Sequence, residues 1–300
     1  MSKEGFRSGF VAIVGRTNVG KSTLMNHLVG MKLAITSNKP QTTRRRMQAV
    51  FTNEDAQIIF LDTPGIHLPK TKLSEYMDNV AYKSVDDVDV IVFVVEPEPY
   101  IGKGEQKMIE RIKESKRPVV LAVNKCDTVD EERIKKAEDT YRKALDIEDA
   151  IALSALKGEG IDDLLSSLIR LLPEGCMLYD EDTVTDVTER DISAEIIREK
   201  VLRNLKDEVP HGVAVNIVSF KEREDGLIDI EADIVCDKDS HKGIIIGKGG
   251  AMLKRIGTDS RRDIEELLDA HVNLRLFVKV RPGWRQNPMM LKEFGFSDKT

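Results

Sequence analysis

The chain has 300 residues, of which 41% are hydrophobic and 33% are charged, and its formal net charge at pH 7 is −6. These values suit two soluble globular domains of ordinary size and exclude a largely disordered chain. The sequence shows no apolar run near the ~18 residues that cross a bilayer, no signal peptide, and no zinc-type spacing among its three cysteines. We therefore expect a cytoplasmic protein.

The first feature along the chain is a glycine-rich motif between a strand pattern and a helix pattern. Residues 10–14 are apolar, residues 22–29 have helical spacing, and between them stands the motif Gly15-Arg16-Thr17-Asn18-Val19-Gly20-Lys21-Ser22. This G-x-x-x-x-G-K-S pattern is a phosphate loop, whose backbone N–H groups and helix N-terminus hold phosphates. We predict that this loop and Thr23 bind a nucleotide, with Lys21 on the β- and γ-phosphates and Ser22 as a Mg²⁺ ligand.

A threonine-containing segment follows the phosphate loop. It reads Pro40-Gln41-Thr42-Thr43-Arg44-Arg45-Arg46. A threonine here can close over Mg²⁺ when the γ-phosphate is present, and we favour Thr43 over Thr42. The three arginines are either a solvated basic surface or a contact to phosphate or RNA.

The next motif, Asp62-Thr63-Pro64-Gly65, follows a predicted strand at residues 57–61. Its position predicts that Asp62 reaches Mg²⁺ through a water molecule and that the Gly65 N–H meets the γ-phosphate. Ile66 stands where many small GTPases place a glutamine that orients water. Hydrolysis must therefore use another device, or be slow and depend on a partner.

Two motifs that select the base follow later strands. Continuous apolar runs at residues 90–95 and 119–123 predict buried parallel strands, and Asn124-Lys125-Cys126-Asp127 follows the second run. Ser154-Ala155-Leu156 follows a strand that starts at Ala150, and a helix pattern at residues 162–172 closes the domain. A carboxylate at Asp127 accepts hydrogen bonds from guanine N1–H and N2–H₂, which adenine lacks, so the motifs predict GTP and GDP as ligands.

A second module follows an acidic linker at residues 176–190. Helix, strand, strand, helix, helix and strand patterns follow in that order, with a predicted helix break near Gly257 and a final strand at residues 272–280. Residues 179–237 carry 7 basic and 17 acidic residues (7 − 17 = −10), whereas residues 238–292 carry 12 and 6 (12 − 6 = +6). The basic part could hold a phosphate backbone, although a solvated surface explains it equally well.

A G-x-x-G loop lies between the two central helix patterns of this module. Such a loop can clamp about four nucleotides, because glycines allow close approach of the RNA backbone. With the α-β-β-α-α-β order, it predicts an RNA-binding KH domain of type II. The predicted RNA contacts are Gly243, Ile246, Gly247, Lys248, Gly249, Gly250, Lys254 and Arg255.

The chain resembles the Era-type bacterial phosphate-loop GTPases with a C-terminal KH domain over nearly its whole length. The resemblance rests on residues 10–22, 41–44, 62–65, 124–127 and 243–250. It implies an α/β GTPase domain at 1–175, a linker at 176–190, a KH domain at 191–284 and a tail at 285–300. It further implies GTP hydrolysis coupled to maturation of the small (30S) ribosomal subunit, and a KH domain that grips the 3′ end of its RNA. Leu156 departs from the lysine that is more usual after Ser-Ala.

Two other functions stay open at this point. One is an RNA chaperone or assembly checkpoint that hydrolyses GTP slowly, which Ile66 favours. The other is a regulator at the inner membrane face that uses tail residues such as Trp284, Phe294 and Phe296. Asn18 looks like the asparagine with which potassium-activated relatives hold K⁺ beside the phosphates, although it can instead merely shape the turn. We expect a monomer.

Overall fold

The computed structural model describes residues 5–36, 42–66 and 71–296, which form two compact units. The first unit contains the described residues of Met1–Lys70 and Met77–Asp186. The second contains Thr71–Tyr76 and the described residues of Val187–Thr300. No helix within the described residues is long and apolar enough to cross a membrane.

Strands and helices alternate through the first part of the chain. The strands are β1 (Arg7–Gly15), β2 (Met47–Thr52), β3 (Ala56–Asp62), β4 (Val90–Val95), β5 (Val119–Val123) and β6 (Ala150–Ala152). The helices are α1 (Lys21–Val29), α2 (Lys72–Lys83), α3 (Lys103–Ser115), α4 (Glu131–Leu145) and α5 (Ile161–Leu171). Thr71 and the first five residues of α2, Lys72–Tyr76, belong to the second unit.

The sheet of the first unit has the order β2-β3-β1-β4-β5-β6, and every neighbouring pair except β2–β3 is parallel. All six residues of β4 are fully buried, as expected for a central strand covered on both faces. The mostly parallel α/β fold predicted for this part of the chain is confirmed. The parallel strands bring the residues that follow β1, β3, β4 and β5 to one edge of the sheet, where open α/β sheets bind ligands.

The predicted linker at residues 176–190 is largely part of the folded units. Gln57 Oε1 accepts hydrogen bonds from the backbone N–H groups of Leu178 (2.7 Å) and Tyr179 (2.9 Å). The Val50 N–H donates to the Val184 carbonyl at 2.8 Å, so this segment covers β2, the edge strand that the sequence patterns did not predict. Covering an edge strand satisfies its unpaired backbone groups. The first unit therefore runs on to Asp186, rather than ending near residue 175.

The second unit has the predicted α-β-β-α-α-β order. Its elements are α6 (Glu189–Asn204), β7 (Ala214–Glu222), β8 (Ile228–Cys236), α7 (Asp239–Ile246), α8 (Ala251–Leu268), β9 (Val272–Val280) and α9 (Pro288–Glu293). Strand β8 lies between an antiparallel β7 and a parallel β9. The predicted break near Gly257 is wrong, since α8 is continuous through it. A Cβ at Gly257 would stand 3.5 Å from Leu276 of β9, so this glycine lies where the helix packs on the sheet.

The C-terminal segment is packed into the second unit. Trp284 is fully buried, and its indole N–H donates to the Gly212 carbonyl at 3.0 Å. Phe294 and Phe296 are also buried and pair with the Trp284 ring at centroid distances of 5.5 and 6.2 Å. The hypothesis that these three aromatic side chains face a membrane is therefore wrong, because the fold uses them as core.

Candidate functional site

The phosphate loop joins the end of β1 to the start of α1 and requires glycine at both of its ends. Gly15 and Gly20 have φ of 155° and 100°. A Cβ would stand 2.2 Å from the Val94 carbonyl oxygen at Gly15 and 2.2 Å from Asn124 Nδ2 at Gly20. No other residue type fits these two positions without movement of the backbone or of Asn124.

Two side chains from the motif after β5 hold carbonyl groups of this loop. Asn124 Nδ2 donates to the Val19 carbonyl at 2.7 Å, and Lys125 Nζ donates to the Asn18 carbonyl at 2.7 Å. The C=O and N–H of a trans peptide point in opposite directions. Holding these two carbonyls therefore turns the N–H groups of Val19 and Gly20 to the opposite side of the loop, as anion binding requires.

Lys21 is buried beneath the same loop. Its Nζ donates to the carbonyl oxygens of Gly15 (3.0 Å) and Arg16 (2.8 Å). Burial lowers the pKa of Lys21 to about 8, and the nearby Asp62 carboxylate partly offsets this effect. A phosphate group beside Nζ would favour the charged ammonium, so the position suits a residue that binds phosphate.

Three side-chain oxygens meet beside the loop. Ser22 Oγ and Thr43 Oγ1 lie 3.0 and 2.9 Å from Asp62 Oδ2, and 2.9 Å from each other. Burial raises the pKa of Asp62, against the opposing effects of Lys21 and the two hydroxyl donors. Asp62 Oδ1 is buried without a hydrogen-bond partner among the described residues. This oxygen-only set fits Mg²⁺, which prefers carboxylate, hydroxyl and phosphate oxygens.

The structure thus places Thr43, rather than Thr42, against Ser22 and Asp62. Arg44 is only 2% exposed, so it is not part of a solvated basic surface, whereas Arg45 and Arg46 are exposed. Pro40 and Gln41 of the same motif lie outside the described residues.

The segment after β3 lies directly on the phosphate loop. The Thr63 hydroxyl donates to the Ile13 carbonyl at 2.8 Å, and the Ile66 N–H donates to the Gly15 carbonyl at 3.2 Å. A Cβ on Gly65 would stand 2.6 Å from the Cα of Thr17, so only glycine allows this approach. Ile66 is 3% exposed and packs in the core of the sheet, which leaves no polar side chain at this position to orient water.

The predicted base pocket is assembled from two loops. Asn124 Oδ1 accepts the Ala155 N–H at 2.8 Å, and the Ser154 hydroxyl donates to Asp127 Oδ1 at 2.8 Å. These bonds tie the loop after β6 to the motif after β5 and orient the Asp127 carboxylate. Leu156 is 77% exposed, so its apolar side chain is available to a ligand and does not belong to the core.

The G-x-x-G loop forms the tight connection between α7 and α8. Gly247, Gly249 and Gly250 have φ of 72°, 60° and 79°. A Cβ at Gly247 would clash with Met252 at 2.7 Å, whereas a Cβ at Gly249 or Gly250 would meet nothing within 4 Å. The loop therefore needs Gly247 for its own fold and offers an open backbone surface at the other two positions.

The remaining predicted RNA contacts lie on the helices that flank this loop. Lys254 and Arg255 are exposed on the first turns of α8, and Ile246 ends α7. Gly243 has open space where a Cβ would stand. The geometry is suited to hold an extended phosphate backbone along the start of α8.

Two acidic residues near the phosphate loop were absent from the sequence predictions. Glu96 forms an ion pair with Lys125. Glu105 is buried, accepts the Tyr141 hydroxyl at 2.9 Å, and lies 3.7 Å from Arg16. Glu96 directly follows the buried strand β4, so the strand-end rule that identified Asp62 and Asn124 could have found it. Glu105 lies on α3 and has no such local signal.

Comparisons with known proteins identify both parts of the chain. A family model described as 50S ribosome-binding GTPase matches residues 10–125, and a KH domain model matches residues 208–285. GTPase Era from Clostridium botulinum (strain Eklund 17B / Type B) is 51% identical over 294 residues, which cover 98% of this chain and 100% of that protein. GTPase Era from Ruminiclostridium cellulolyticum is 52% identical over 291 residues, covering 97% and 98%.

Two solved structures are similar over both units. One is a variant of Aquifex aeolicus Era bound to GDP·AlF₄⁻, with a TM-score of 0.93, 38% identity, and coverage of 97% of this chain and 100% of that one. The other is Era in complex with MgGDPNP and nucleotides 1506–1542 of 16S ribosomal RNA, with a TM-score of 0.93, 38% identity, and coverage of 97% and 99%.

Proposed function

Because this chain is a GTPase and belongs to the Era family, we propose that its GTP cycle controls binding to the 3′ region of small-subunit (16S) ribosomal RNA during assembly of the 30S subunit. The observation that carries the proposal is the presence, in one chain, of a pocket with guanine-selecting groups and an open G-x-x-G loop. A similar Era protein has been solved with MgGDPNP and the 16S fragment together.

In the nucleotide site, the residues have separate tasks. The phosphate loop surrounds the phosphates with N–H groups, Lys21 neutralises the β- and γ-phosphates, and Asp127 selects guanine. Ser22, Thr43 and Asp62 would hold Mg²⁺, which would neutralise negative charge on the phosphates. The Gly65 N–H would donate a hydrogen bond to the γ-phosphate, because Gly65 lies against Thr17 of the phosphate loop.

We infer that hydrolysis relies on a monovalent cation rather than on a side chain after Gly65. Ile66 is buried and apolar, and Asn18 stands in the loop with a φ of 65°. A K⁺ ion beside Asn18 would stabilise charge that develops between the β- and γ-phosphates. We expect replacement of potassium chloride by sodium chloride at constant ionic strength to slow single-turnover hydrolysis by on the order of tenfold.

Two substitutions separate a cation ligand from a residue that shapes the turn. Glycine accepts positive φ without strain, so Asn18→Gly keeps the turn and removes only the side chain. We expect Asn18→Gly and Asn18→Ala both to abolish the advantage of potassium. Equal rates of the wild-type protein in the two salts, or a potassium advantage that persists in Asn18→Gly, would exclude the cation site.

In the RNA site, the loop at Gly249 and Gly250 lets a phosphate backbone approach closely, while Lys248, Lys254 and Arg255 supply positive charge. The KH domain thus binds single-stranded RNA through its backbone and its unstacked bases. We propose that the protein acts in the cytoplasm, because its RNA target lies on the ribosomal subunit, and that it acts as a monomer.

RNA crosslinking in cells, followed by mapping of the bound sequence, tests this function. We expect reads concentrated at the 3′ end of 16S ribosomal RNA, and single-turnover GTP hydrolysis that is faster with this RNA than without it. Crosslinks spread over unrelated RNAs would contradict the ribosomal role. Specific crosslinks without any effect of RNA on hydrolysis would instead support the slowly hydrolysing chaperone or checkpoint, which the buried Ile66 favours.

A further inference from the structure

We propose that Glu96 is a positioning residue of the nucleotide site: through Lys125, its carboxylate holds the peptide group after Asn18 so that the loop presents its N–H groups to the phosphates. The inference rests on the proposed function, because it takes this loop as the site that binds phosphate. It assigns a task to a residue at the end of β4 that contributes no atom to the loop itself.

Lys125 connects Glu96 to the phosphate loop. Its Nζ forms an ion pair with Glu96 Oε1 and donates to the Asn18 carbonyl at 2.7 Å. The Lys125 side chain is 39% exposed and the Glu96 side chain 30% exposed, so neither is fixed by burial alone. The Lys125 backbone has a φ of 66°, in the left-handed region.

The Asn18 carbonyl needs such a tie because the peptide group that contains it also carries the Val19 N–H. Asn18 has a φ of 65°, in the left-handed region that asparagine tolerates better than most residue types. Rotation of the peptide between Asn18 and Val19 would turn the Val19 N–H away from the phosphates. Lys125 prevents this rotation by holding the carbonyl, just as Asn124 holds the carbonyl of the next peptide.

Glu96 restricts the position of the Lys125 ammonium. A lysine side chain has four flexible carbons, and fixing it in one rotamer costs free energy. The Glu96 carboxylate restricts where Nζ lies, so that the ammonium keeps donating to the Asn18 carbonyl. Charge alone predicts the opposite change in affinity. Removal of the Glu96 carboxylate near an anion site would strengthen the attraction between the protein and the negatively charged nucleotide. The sign of the change in affinity therefore distinguishes positioning from simple electrostatics.

The experiment compares four variants of the full chain. Glu96→Gln removes the charge of the positioning residue, and Lys125→Met removes the ammonium but keeps the stem. The matched control is Glu98→Gln, two residues further on, because Glu98 pairs with Arg133 of α4 at 2.6 Å and does not contact the loop. The fourth variant combines Glu96→Gln with Lys125→Met. The measurement is the dissociation rate of fluorescent GDP at two ionic strengths, with potassium held constant.

We expect Glu96→Gln to release GDP on the order of tenfold faster, at both ionic strengths, with Glu98→Gln at the wild-type rate. In the Lys125→Met background, Glu96→Gln should add no further acceleration, because the two residues act as one unit. The KM for GTP should rise while kcat changes little, a separation that general destabilisation of the fold would not produce.

The outcomes separate this inference from the proposed site. If Lys125→Met releases GDP faster but Glu96→Gln does not, or if Glu96→Gln slows release at low ionic strength, the positioning role is wrong. An additive effect in the double variant would contradict it as well. If Lys125→Met itself leaves GDP release unchanged, Lys125 does not position the loop and the inference fails, whereas the assignment of the loop to nucleotide binding stands.

Discussion

Asparagine in place of Asp127 is expected to change the base preference of the protein from guanine to xanthine. The Ser154 hydroxyl donates to Asp127 Oδ1, and an asparagine can keep this bond with its own carbonyl oxygen. Its NH₂ group then faces the base, where it meets the N–H donors of guanine but can donate to O2 of xanthine. Two opposed donors predict a loss of GTP affinity on the order of a hundredfold or more.

Competition between GTP and xanthosine triphosphate, measured by equilibrium binding, tests this expectation. Ser154→Ala is the matched control, since it removes the group that orients position 127 and leaves the carboxylate in place. We expect Ser154→Ala to weaken GTP binding without any gain for the xanthine nucleotide. A preference for GTP that survives in Asp127→Asn would mean that this carboxylate does not read the base.

Aspartate at Gly249 is expected to weaken binding of the 16S 3′ sequence on the order of a hundredfold. The residue has a φ of 60°, a region that aspartate tolerates better than most residue types, so the loop can keep its conformation. Nothing lies within 4 Å of the new Cβ, which therefore projects into the space where the RNA backbone is proposed to pass. The substitution adds both bulk and negative charge beside a phosphate.

Gly226→Asp is a close control for this experiment. Gly226 has a φ of 79°, also has nothing within 4 Å of a Cβ, and lies in the turn between β7 and β8 of the same unit. It changes the net charge equally but leaves the G-x-x-G loop untouched, so RNA affinity should stay near the wild-type value. Circular dichroism establishes that both variants are folded. Equal losses in the two variants would point to overall charge and against a specific RNA contact at Gly249.

The phosphate loop and the motifs at Asp62 and Asn124 could be read from the sequence because each is short and lies at the end of a largely buried strand. The apolar runs at Val90–Val95 and Val119–Val123 are strands with those same bounds. Strand β2 was missed because it carries no continuous apolar run, and its order depends on pairing with β3 on one side and with residues near Val184 on the other. Segments that are ordered by distant partners give a weak local pattern.

The KH domain shows the same division between local and distant information. The order of its elements and its G-x-x-G loop follow from local patterns. The continuity of α8 does not, because the low helix propensity of Gly257 is overruled by packing against β9. Likewise, the scattered aromatic residues near the C-terminus do not indicate that Trp284 belongs to the core. The folded structure shows this, because the Trp284 indole N–H donates to the Gly212 carbonyl.

Residue types at fixed short spacing specify the two-domain order, the phosphate loop, the Asn124–Asp127 motif and the G-x-x-G loop, so these features could be read before the chain was folded. The contact of Thr43 with Ser22 and Asp62, and the link from Glu96 through Lys125 to the phosphate loop, are visible only in the folded protein. These contacts join residues that are far apart in the chain. Their partners are selected by which strand ends meet at one edge of the sheet and by the need to satisfy polar groups that folding buries.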